Sequence, residues 1–393
     1  VDRGAYSYQG EDGSKEHRTY VNNDPYDKDG TIHIQGGNAP AEEVTDNSDN
    51  GTEEATPTDH TTDSSADNTE NSSTSETTTG NTITVMEDVK KTEKADGTEG
   101  NDVKIVVEGV NVDTSTQTDT PAEVPADTKE DKTIIKVGEG ADVDLTVRDS
   151  KLTTGGHGID IGVNLEDKDE NKGANVDLTL DNTKINLTEK DNTAGIVARD
   201  HSTVNVTLKG ENTIDGKKAL EDAAKEADDA KKEGVSSPNR NVEGIRVGGE
   251  NAGDDSSGKG ASLTIKGDET SDQGSLNIDH TSTGMVISND SDVTLTDNAD
   301  VDIKHTEAGS STQGGRGIVQ RGDLAIEDNS SLTIDTVGSG AYKIDNDQEG
   351  LVYGNNGYGI DSTDDITVTG DSTLEIKGTQ NSAIYGGTGS SLT

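Results

Sequence analysis

Residues 155–161 combine closely spaced glycines with a carboxylate. They read GGHGIDI and fit one copy of the glycine-rich pattern GGxGxDxU, in which backbone carbonyls and an aspartate wrap Ca²⁺. Asp160 is the metal ligand in this interpretation, and Ca²⁺ is the cofactor that it implies. Such sites use tandem copies, and no second copy follows here. A tight glycine corner in front of a strand is therefore the alternative explanation.

The tripeptide Arg321-Gly322-Asp323 is a second candidate binding motif. In an exposed, tight turn its aspartate would complete an integrin metal site, and its arginine would enter an acidic pocket. The same tripeptide also arises by chance in a chain that holds 47 glycines and 79 acidic residues. Recognition and coincidence both stay open at the level of sequence.

His157 lies in a Gly-His-Gly-Ile segment that resembles a motif of the polygalacturonases. In that family the histidine lies near paired carboxylates, which protonate the glycosidic oxygen and activate water. The acids that could be matched are Asp361, Asp364 and Asp365, about five repeats later, in reversed motif order and without an Arg-Ile-Lys partner. Groups so far apart along an elongated fold cannot meet at one sugar bond.

The sequence offers few residues for other kinds of catalysis. The chain has no cysteine, seven scattered histidines and no Gly-x-Ser-x-Gly elbow. Thiolate chemistry is therefore excluded, and no serine-histidine-acid set can be argued. We interpret each histidine as a solvated loop residue and predict that the protein is not an enzyme.

Composition limits both the core and the partners. The chain has 393 residues, a formal net charge of −46 and only 26% hydrophobic residues. This is too few for one thick core, which leaves a disordered chain or a solenoid with a thin core. The excess of acidic residues argues against nucleic acid and anionic membranes as partners. No apolar run is long enough for a membrane helix.

A short unit recurs along the chain: an alternating strand, a corner of Asp, Asn, Ser or Thr, and a second alternating strand. Alternation places Val143, Leu145 and Val147 on one face of the first strand, with polar residues on the other. Copies of the unit include DVDLTVRDSKLTT from Asp142, NVDLTLDNTKINL from Asn175, VNVTLKGENTI from Val204, ASLTIKGDETSDQGSLNI from Ala261, DVTLTDNADVDI from Asp292, DLAIEDNSSLTI from Asp323 and DITVTGDSTLEI from Asp365.

A glycine followed by an aliphatic residue separates successive units and predicts a third strand in each period. These pairs are Gly158-Ile159, Gly195-Ile196, Gly244-Ile245, Gly284-Met285, Gly317-Ile318 and Gly359-Ile360, with Ala383-Ile384 as the next occurrence. The connecting corners are too short for crossover helices. We therefore predict an all-β chain, a three-sided right-handed parallel β-helix with loop insertions.

Composition also divides the chain. Residues 1–40 are expected to form an N-terminal cap or a preceding coil, and the acidic, Ser/Thr-rich residues 41–81 a linker or long loop. The β-helix is expected over 82–393, and it ends within an unfinished coil, which predicts a truncated C-terminal end. One helical insertion is expected at about 216–235, because Ala and Leu recur there on one face.

The stretches VTLTDNADVDI, LAIEDNSSLTI and ITVTGDSTLEIKGTQNSAIYG resemble the passenger domains of Gram-negative autotransporters, including pertactin-like and AIDA-like adhesins. The resemblance covers roughly residues 130–393. It implies a virulence-associated, secreted adhesin of the extracellular bacterial cell surface, displayed from an outer-membrane β-barrel. Expected partners are a host or bacterial surface protein or glycan, or a second copy of the chain, with no direct membrane insertion. Two alternatives stay open: a β-helix polysaccharide lyase or hydrolase, and a subunit of an extracellular filament.

Overall fold

The fold consists of short strands and one helix among the residues that the computed structural model describes. Those residues are 5–8, 18–21, 31–35, 78–79, 82–89, 103–115, 132–165, 172–234, 240–249, 259–268, 274–306, 315–338, 342–343, 351–352, 357–387 and 390–393. In chain order the elements are β1 Ala5–Tyr8, β2 Arg18–Val21, β3 Thr31–Gln35, β4 Thr78–Thr79, β5 Thr82–Val85, β6 Val103–Glu108, β7 Asn111–Asp113, β8 Ile135–Gly138, β9 Asp142–Arg148, β10 Lys151–Thr154, β11 Ile159–Val163, β12 Asn175–Asp181, β13 Lys184–Leu187, β14 Thr193–Ala198, β15 Thr203–Lys209, β16 Glu211–Asp215, α1 Lys217–Glu233, β17 Val242–Val247, β18 Ser262–Lys266, β19 Ser275–Asp279, β20 Thr283–Ile287, β21 Asp292–Thr296, β22 Asp300–Thr306, β23 Arg316–Gln320, β24 Asp323–Ile326, β25 Ser331–Val337, β26 Tyr342–Lys343, β27 Leu351–Val352, β28 Tyr358–Ser362, β29 Ile366–Val368, β30 Thr373–Thr379 and β31 Ile384–Gly386.

Three long sheets run side by side along the chain. Sheet 1 has the order β1-β2-β5-β8-β11-β14-β17-β20-β23-β28-β31, sheet 2 the order β3-β6-β9-β12-β15-β18-β21-β24-β29, and sheet 3 the order β4-β7-β10-β13-β16-β19-β22-β25-β30. Every pairing within them is parallel except β1 with β2. Each turn of the chain, called a coil below, thus gives one strand to each sheet. The predicted parallel β-helix is confirmed, and its right-handed sense stays a prediction from the crossover rule.

The interior is a stack of aliphatic side chains in register. In sheet 2, for example, Leu145 lies beside Leu178, which lies beside Val206 on the next coil. All three are 1% exposed or less. Their outward neighbours along the strands stay partly or fully exposed. The period-two pattern therefore identified the inward face of this sheet correctly.

The glycine of each Gly-aliphatic pair lies just before a sheet 1 strand or within its first three residues, next to the turn from sheet 3. A Cβ on Gly195 would be 2.6 Å from Cγ2 of Ile214 and 2.8 Å from the carbonyl oxygen of Gly244 on the next coil. A Cβ on Gly158 would come equally close to Ile185. These glycines are needed because a neighbouring side chain and backbone fill the space, so the motif marks a steric corner of the coil.

Sheet 1 differs from the other two because its outward face is also buried. The outward row runs from Asp160 through Val197, Arg246, Val286 and Val319. Each of these side chains is 3% exposed or less. The strands β14, β17 and β20 are accordingly buried at every position. The alternation argument, which was made for the strands of the recurring unit, does not describe this sheet.

The stack starts earlier in the chain than residue 82. Strands β2 and β3 pair in parallel with β5 and β6, so the first segment supplies a preceding coil. The acidic segment over 41–81 lies outside the described residues, apart from β4. The predicted helical insertion is confirmed as α1, which is anchored by the ion pair of Glu226 with Arg240 at 2.7 Å. No helix in the described part of the chain has the length and apolar character that crossing a bilayer requires.

Candidate functional site

The two candidate motifs near the C-terminal end of the stack meet at one corner, where sheet 1 turns into sheet 2. Residues 321–322 connect β23 to β24, which begins at Asp323, and residues 363–365 connect β28 to β29. Val319 pairs with Asp361 and Leu324 with Ile366, so these connections are neighbours on consecutive coils. We call residues 321–323 together with Asp361, Asp364 and Asp365 the acidic corner.

Arg321 of the tripeptide is occupied within the chain. Its Nη1 donates to the carbonyl oxygen of Asp361 at 2.9 Å, and its Nη2 lies 3.2 Å from Oδ2 of the same residue. Its side chain is only 17% exposed. An arginine bound in this way would have to break its contacts with the next coil before it could enter an acidic pocket on a partner.

The backbone of the tripeptide lies flat against the preceding coil. Arg321 N donates to the carbonyl of Ile287 at 2.8 Å, and Asp323 N donates to that of Ser291 at 3.0 Å. A Cβ on Gly322 would overlap the same Ser291 carbonyl. The tripeptide is therefore a packed corner of the coil and does not protrude as the loop that integrin binding would require.

Asp323 belongs to a group of three carboxylates. It is exposed, and one of its oxygens lies within 4.8 Å of oxygens of Asp364 and Asp365 from the next coil. Its pKa is raised, first by partial burial and then by the negative charges of Asp364, Asp365 and Asp292. Asp365 also accepts hydrogen bonds from N and Oγ of Ser391 at 3.1 and 2.6 Å.

The acidic corner has two chemical capabilities. Carboxylate oxygens are ligands for hard divalent cations, but acidic groups of this kind are common on a strongly acidic surface. A carboxyl group with a raised pKa beside an ionised one is also the pattern of a glycosidic acid-base pair, for which the groups lie about 5–5.5 Å or 6.5–9.5 Å apart. The oxygens here all lie within 4.8 Å of one another, which is below the shorter of those ranges.

The raised pKa of Asp323, caused first by partial burial and then by neighbouring negative charges, predicts how stability depends on pH. The folded pKa of Asp323 lies above its unfolded value, so its stabilising contribution is present below the unfolded pKa and is lost as pH rises through the folded pKa. Asp323→Asn should therefore raise the free energy of unfolding at pH 7 by a few tenths of a kcal/mol, since the group is largely solvated. Urea denaturation at pH 7 and near pH 3.5 checks this: a gain that persists undiminished at the lower pH would contradict it.

Asp160, the candidate Ca²⁺ ligand, is an ion-pair partner instead. Its two carboxylate oxygens accept hydrogen bonds from Nε and Nη2 of Arg199, both at 2.8 Å, and the residue is 2% exposed. The nearby glycines lie close to other coils, as shown by Gly156, whose Cβ would be 2.8 Å from the Thr133 nitrogen. This geometry favours the glycine-corner explanation of residues 155–161 over the Ca²⁺ repeat.

His157 and the acids matched to it are separated along the stack. Nδ1 of His157 accepts a hydrogen bond from Ala194 N on the next coil at 3.1 Å. Its motif continues into β11, whereas Asp361 is in β28, five strands further along sheet 1. At about 4.8 Å per strand this is roughly 24 Å. The two halves of the polygalacturonase-like pattern are thus far apart, as the sequence predicted.

Two structural features were not predicted from the sequence. The first is the fully buried ion pair of Glu243 with Arg246, both 2% exposed, on the outward face of sheet 1. The second is the stacking of His280 on His305, with ring centroids 5.0 Å apart. The interpretation of every histidine as a solvated loop residue did not foresee this contact, and it was wrong in placing His305 in a loop, because that residue, although exposed, lies in β22. The signal was the repeated His-Thr pair at the end of two successive sheet 3 strands.

Comparisons with known proteins leave the function to be argued from the molecule itself. No family model matches the sequence, and neither the curated proteins nor the solved structures contain a match to it. The resemblance to autotransporter passengers therefore stays a prediction from the quoted stretches. Since β-helices carry unrelated functions, the fold alone does not choose among them.

Proposed function

We propose that this protein is a non-enzymatic rod of the extracellular bacterial surface, of the autotransporter passenger type, which makes adhesive contacts through its sides and loops. The observation that carries the proposal is the unbroken stack: ten parallel strands of sheet 1, β2 to β31, follow one another in register. Nine spacings of about 4.8 Å give a stack roughly 43 Å long. A molecule built in this way holds surfaces at a fixed distance and in a fixed orientation.

The outward face of sheet 2 is the surface best suited to such contacts. Its first outward row consists of Asp142, Asn175, Thr203, Ser262, Asp292 and Asp323, which follow one another in register. All are exposed except Ser262, which is partly exposed. Short polar groups repeated at one spacing on a flat face suit many weak hydrogen bonds to a glycan or a protein, whose affinities add through multivalency. The charge of −46 opposes contacts with polyanions.

Bead adhesion tests this proposal. The full chain is coupled to fluorescent beads, and bead retention is measured on bacterial lawns, host-cell layers and glycan-coated glass. We expect retention above that of beads coated with an unrelated acidic protein. The variant with Asn175→Lys, Thr203→Lys and Asp292→Lys should lose it, because three exposed positions of one face change charge while the interior is untouched. Bead retention equal to that of the beads coated with the unrelated acidic protein, on every surface, would contradict the proposal.

A polysaccharide hydrolase or lyase is the second candidate, and the raised pKa of Asp323 beside Asp364 and Asp365 is the observation that favours it. The measurement is the chain length of polygalacturonate and of neutral glycans after incubation with the protein, with and without Ca²⁺. Our proposal predicts unchanged length. Shortened chains that disappear with Asp323→Asn or Asp364→Asn would establish the enzyme instead.

A further inference from the structure

A cluster of two histidines and two aspartates lies at the corner where sheet 3 turns into sheet 1. Its members come from three consecutive coils: Asp215 ends β16, Asp279 ends β19 with His280 directly after it, and His305 lies in β22. Asp215 pairs with Asp279, and Asp279 pairs with Lys304, the residue before His305. The stacking of the coils therefore brings together residues up to 90 positions apart in the sequence.

Both histidines adopt a backbone conformation that is unusual for residues other than glycine. Their φ angles are +52° for His280 and +49° for His305, in the left-handed region, which costs a side chain about 1–2 kcal/mol. The equivalent residues on the next two coils, Thr336 and Gly378, also have positive φ. This shared conformation places the two imidazoles in the same orientation on adjacent coils, and they stack at an interplanar angle of 24°.

The Nδ1 atoms of both rings face the same carboxylate. Nδ1 of His305 lies 2.7 Å from Oδ1 of Asp279, and Nδ1 of His280 lies 3.1 Å from that oxygen. Nδ1 of His280 is also 3.8 Å from Oδ1 of Asp215. Although it is buried and close to Asp279, it makes no hydrogen bond within the described chain. Two imidazole nitrogens and two carboxylates thus converge here. Asp215 has other partners as well: its Oδ1 accepts a hydrogen bond from Lys217 N at 2.9 Å, and its Oδ2 lies 3.8 Å from Nζ of Lys184.

We propose that Asp215, Asp279, His280 and His305 bind one Zn²⁺ ion. Two imidazole nitrogens with two carboxylate oxygens form a donor set that suits Zn²⁺, whereas Ca²⁺ and Mg²⁺ take oxygen ligands throughout. Bonds of about 2 Å place neighbouring ligands of a tetrahedral ion about 3.3 Å apart. The ligand atoms of Asp279, His280 and His305 all lie within 4.8 Å of one another, and two of their separations, 2.7 and 3.1 Å, are close to that value. Asp215, whose Oδ1 is 3.8 Å from Nδ1 of His280, would have to turn inward to complete the site.

The local charge supports a divalent cation. With neutral imidazoles the cluster carries two negative charges, from Asp215 and Asp279, and Nζ of Lys184, 3.8 Å from Oδ2 of Asp215, offsets part of them. Lys304 is engaged elsewhere, since its Nζ lies 2.6 Å from Oδ2 of Asp302, so the cluster keeps a net negative charge that attracts a cation. The side chains of the cluster are between 26% and 47% exposed, so an ion can reach them from solvent. Bound Zn²⁺ would cross-link three coils next to the start of α1.

Zinc binding to the full chain tests this inference. The histidines are changed singly as His280→Asn and His305→Asn, because asparagine tolerates positive φ. His201→Asn is the matched control: His201 also has positive φ, at +64°, but is exposed and lies outside the cluster. Calorimetric titration with Zn²⁺ against a competing chelator measures the affinity, and X-ray absorption of the Zn²⁺-loaded wild type identifies the ligands. Circular dichroism shows which variants remain folded.

We expect one tightly held Zn²⁺ per chain, with two imidazole ligands, and a melting temperature that rises when Zn²⁺ is added. Each cluster variant should weaken binding at least about ten-fold, and His201→Asn should leave it unchanged. Asp279→Asn, at a position with ordinary backbone, gives the same test if a histidine variant fails to fold. Absence of stoichiometric binding, or binding that survives both histidine changes, would overturn the inference, as would a spectrum with oxygen ligands only.

Discussion

Gly195→Val should destabilise the stack by about 3 kcal/mol, since overpacking of a filled interior costs this much when the surroundings cannot move. A Cβ at this position would be 2.6 Å from Cγ2 of Ile214 and 2.8 Å from the Gly244 carbonyl. The carbonyl belongs to the next coil and cannot shift without disturbing the ladder between β14 and β17. Ile214 is fully buried, so it has no free space in which to turn away.

Urea denaturation followed by far-ultraviolet circular dichroism measures this effect. Gly234→Ala is the control, because a Cβ added to Gly234 would have no atom within 4 Å. It has a φ of +72°, so its substitution should cost only about 1 kcal/mol of conformational strain. Equal losses for the two variants would show that the glycine corners are not steric.

Glu243→Gln should also destabilise the protein strongly, by about 3–5 kcal/mol, which is typical when one partner of a buried ion pair is removed. Glu243 and Arg246 lie on the outward face of β17, both 2% exposed, with Nη2 of Arg246 2.5 Å from a carboxylate oxygen of Glu243. The substitution keeps the shape of the side chain but leaves the arginine charge without its carboxylate in a site that excludes water.

The double variant Glu243→Leu with Arg246→Met separates charge from packing. It should recover most of the lost free energy of unfolding, because a buried pair replaced by apolar side chains is often neutral or stabilising. An exposed pair provides the comparison: Lys218→Met breaks the helix-surface contact with Asp222 and should cost no more than about 0.5 kcal/mol. A similarly small loss in the free energy of unfolding for Glu243→Gln would show that this ion pair is not important for stability.

Most of the architecture could be predicted because its signals are local and repeated. Alternation around Leu145 and Leu178 fixes the inward face of sheet 2, and the same pattern recurs on every coil. The Gly-aliphatic pairs located the strands of sheet 1. The reason for the glycine is its close contact with side chains such as Ile214, and this contact was visible only in the folded structure. The helix α1 followed from its own composition in the same way.

The candidate sites were harder to predict because they form between coils. Loops of different length separate the strands, so the sequence does not show that Arg321 lies beside Asp361, or His280 beside His305. Read along the chain, the motifs suggested side chains that are free to bind a partner. Arg321-Gly322-Asp323 would bind an integrin, and Asp160 would bind Ca²⁺. In the folded protein Arg321 and Asp160 have partners supplied by the next coil, which changes what they can bind.

Electron-spin distance measurements test the central claim, that the chain is a rigid stack of in-register coils. The protein has no cysteine, so pairs of introduced cysteines can be spin-labelled cleanly at exposed positions of one row: 142 with 175, 175 with 292, and 142 with 323. These pairs are one, three and five strands apart in sheet 2. The stack predicts narrow distributions whose centres increase by about 4.8 Å per strand. Broad distributions, or distances that do not increase with strand number, would contradict it.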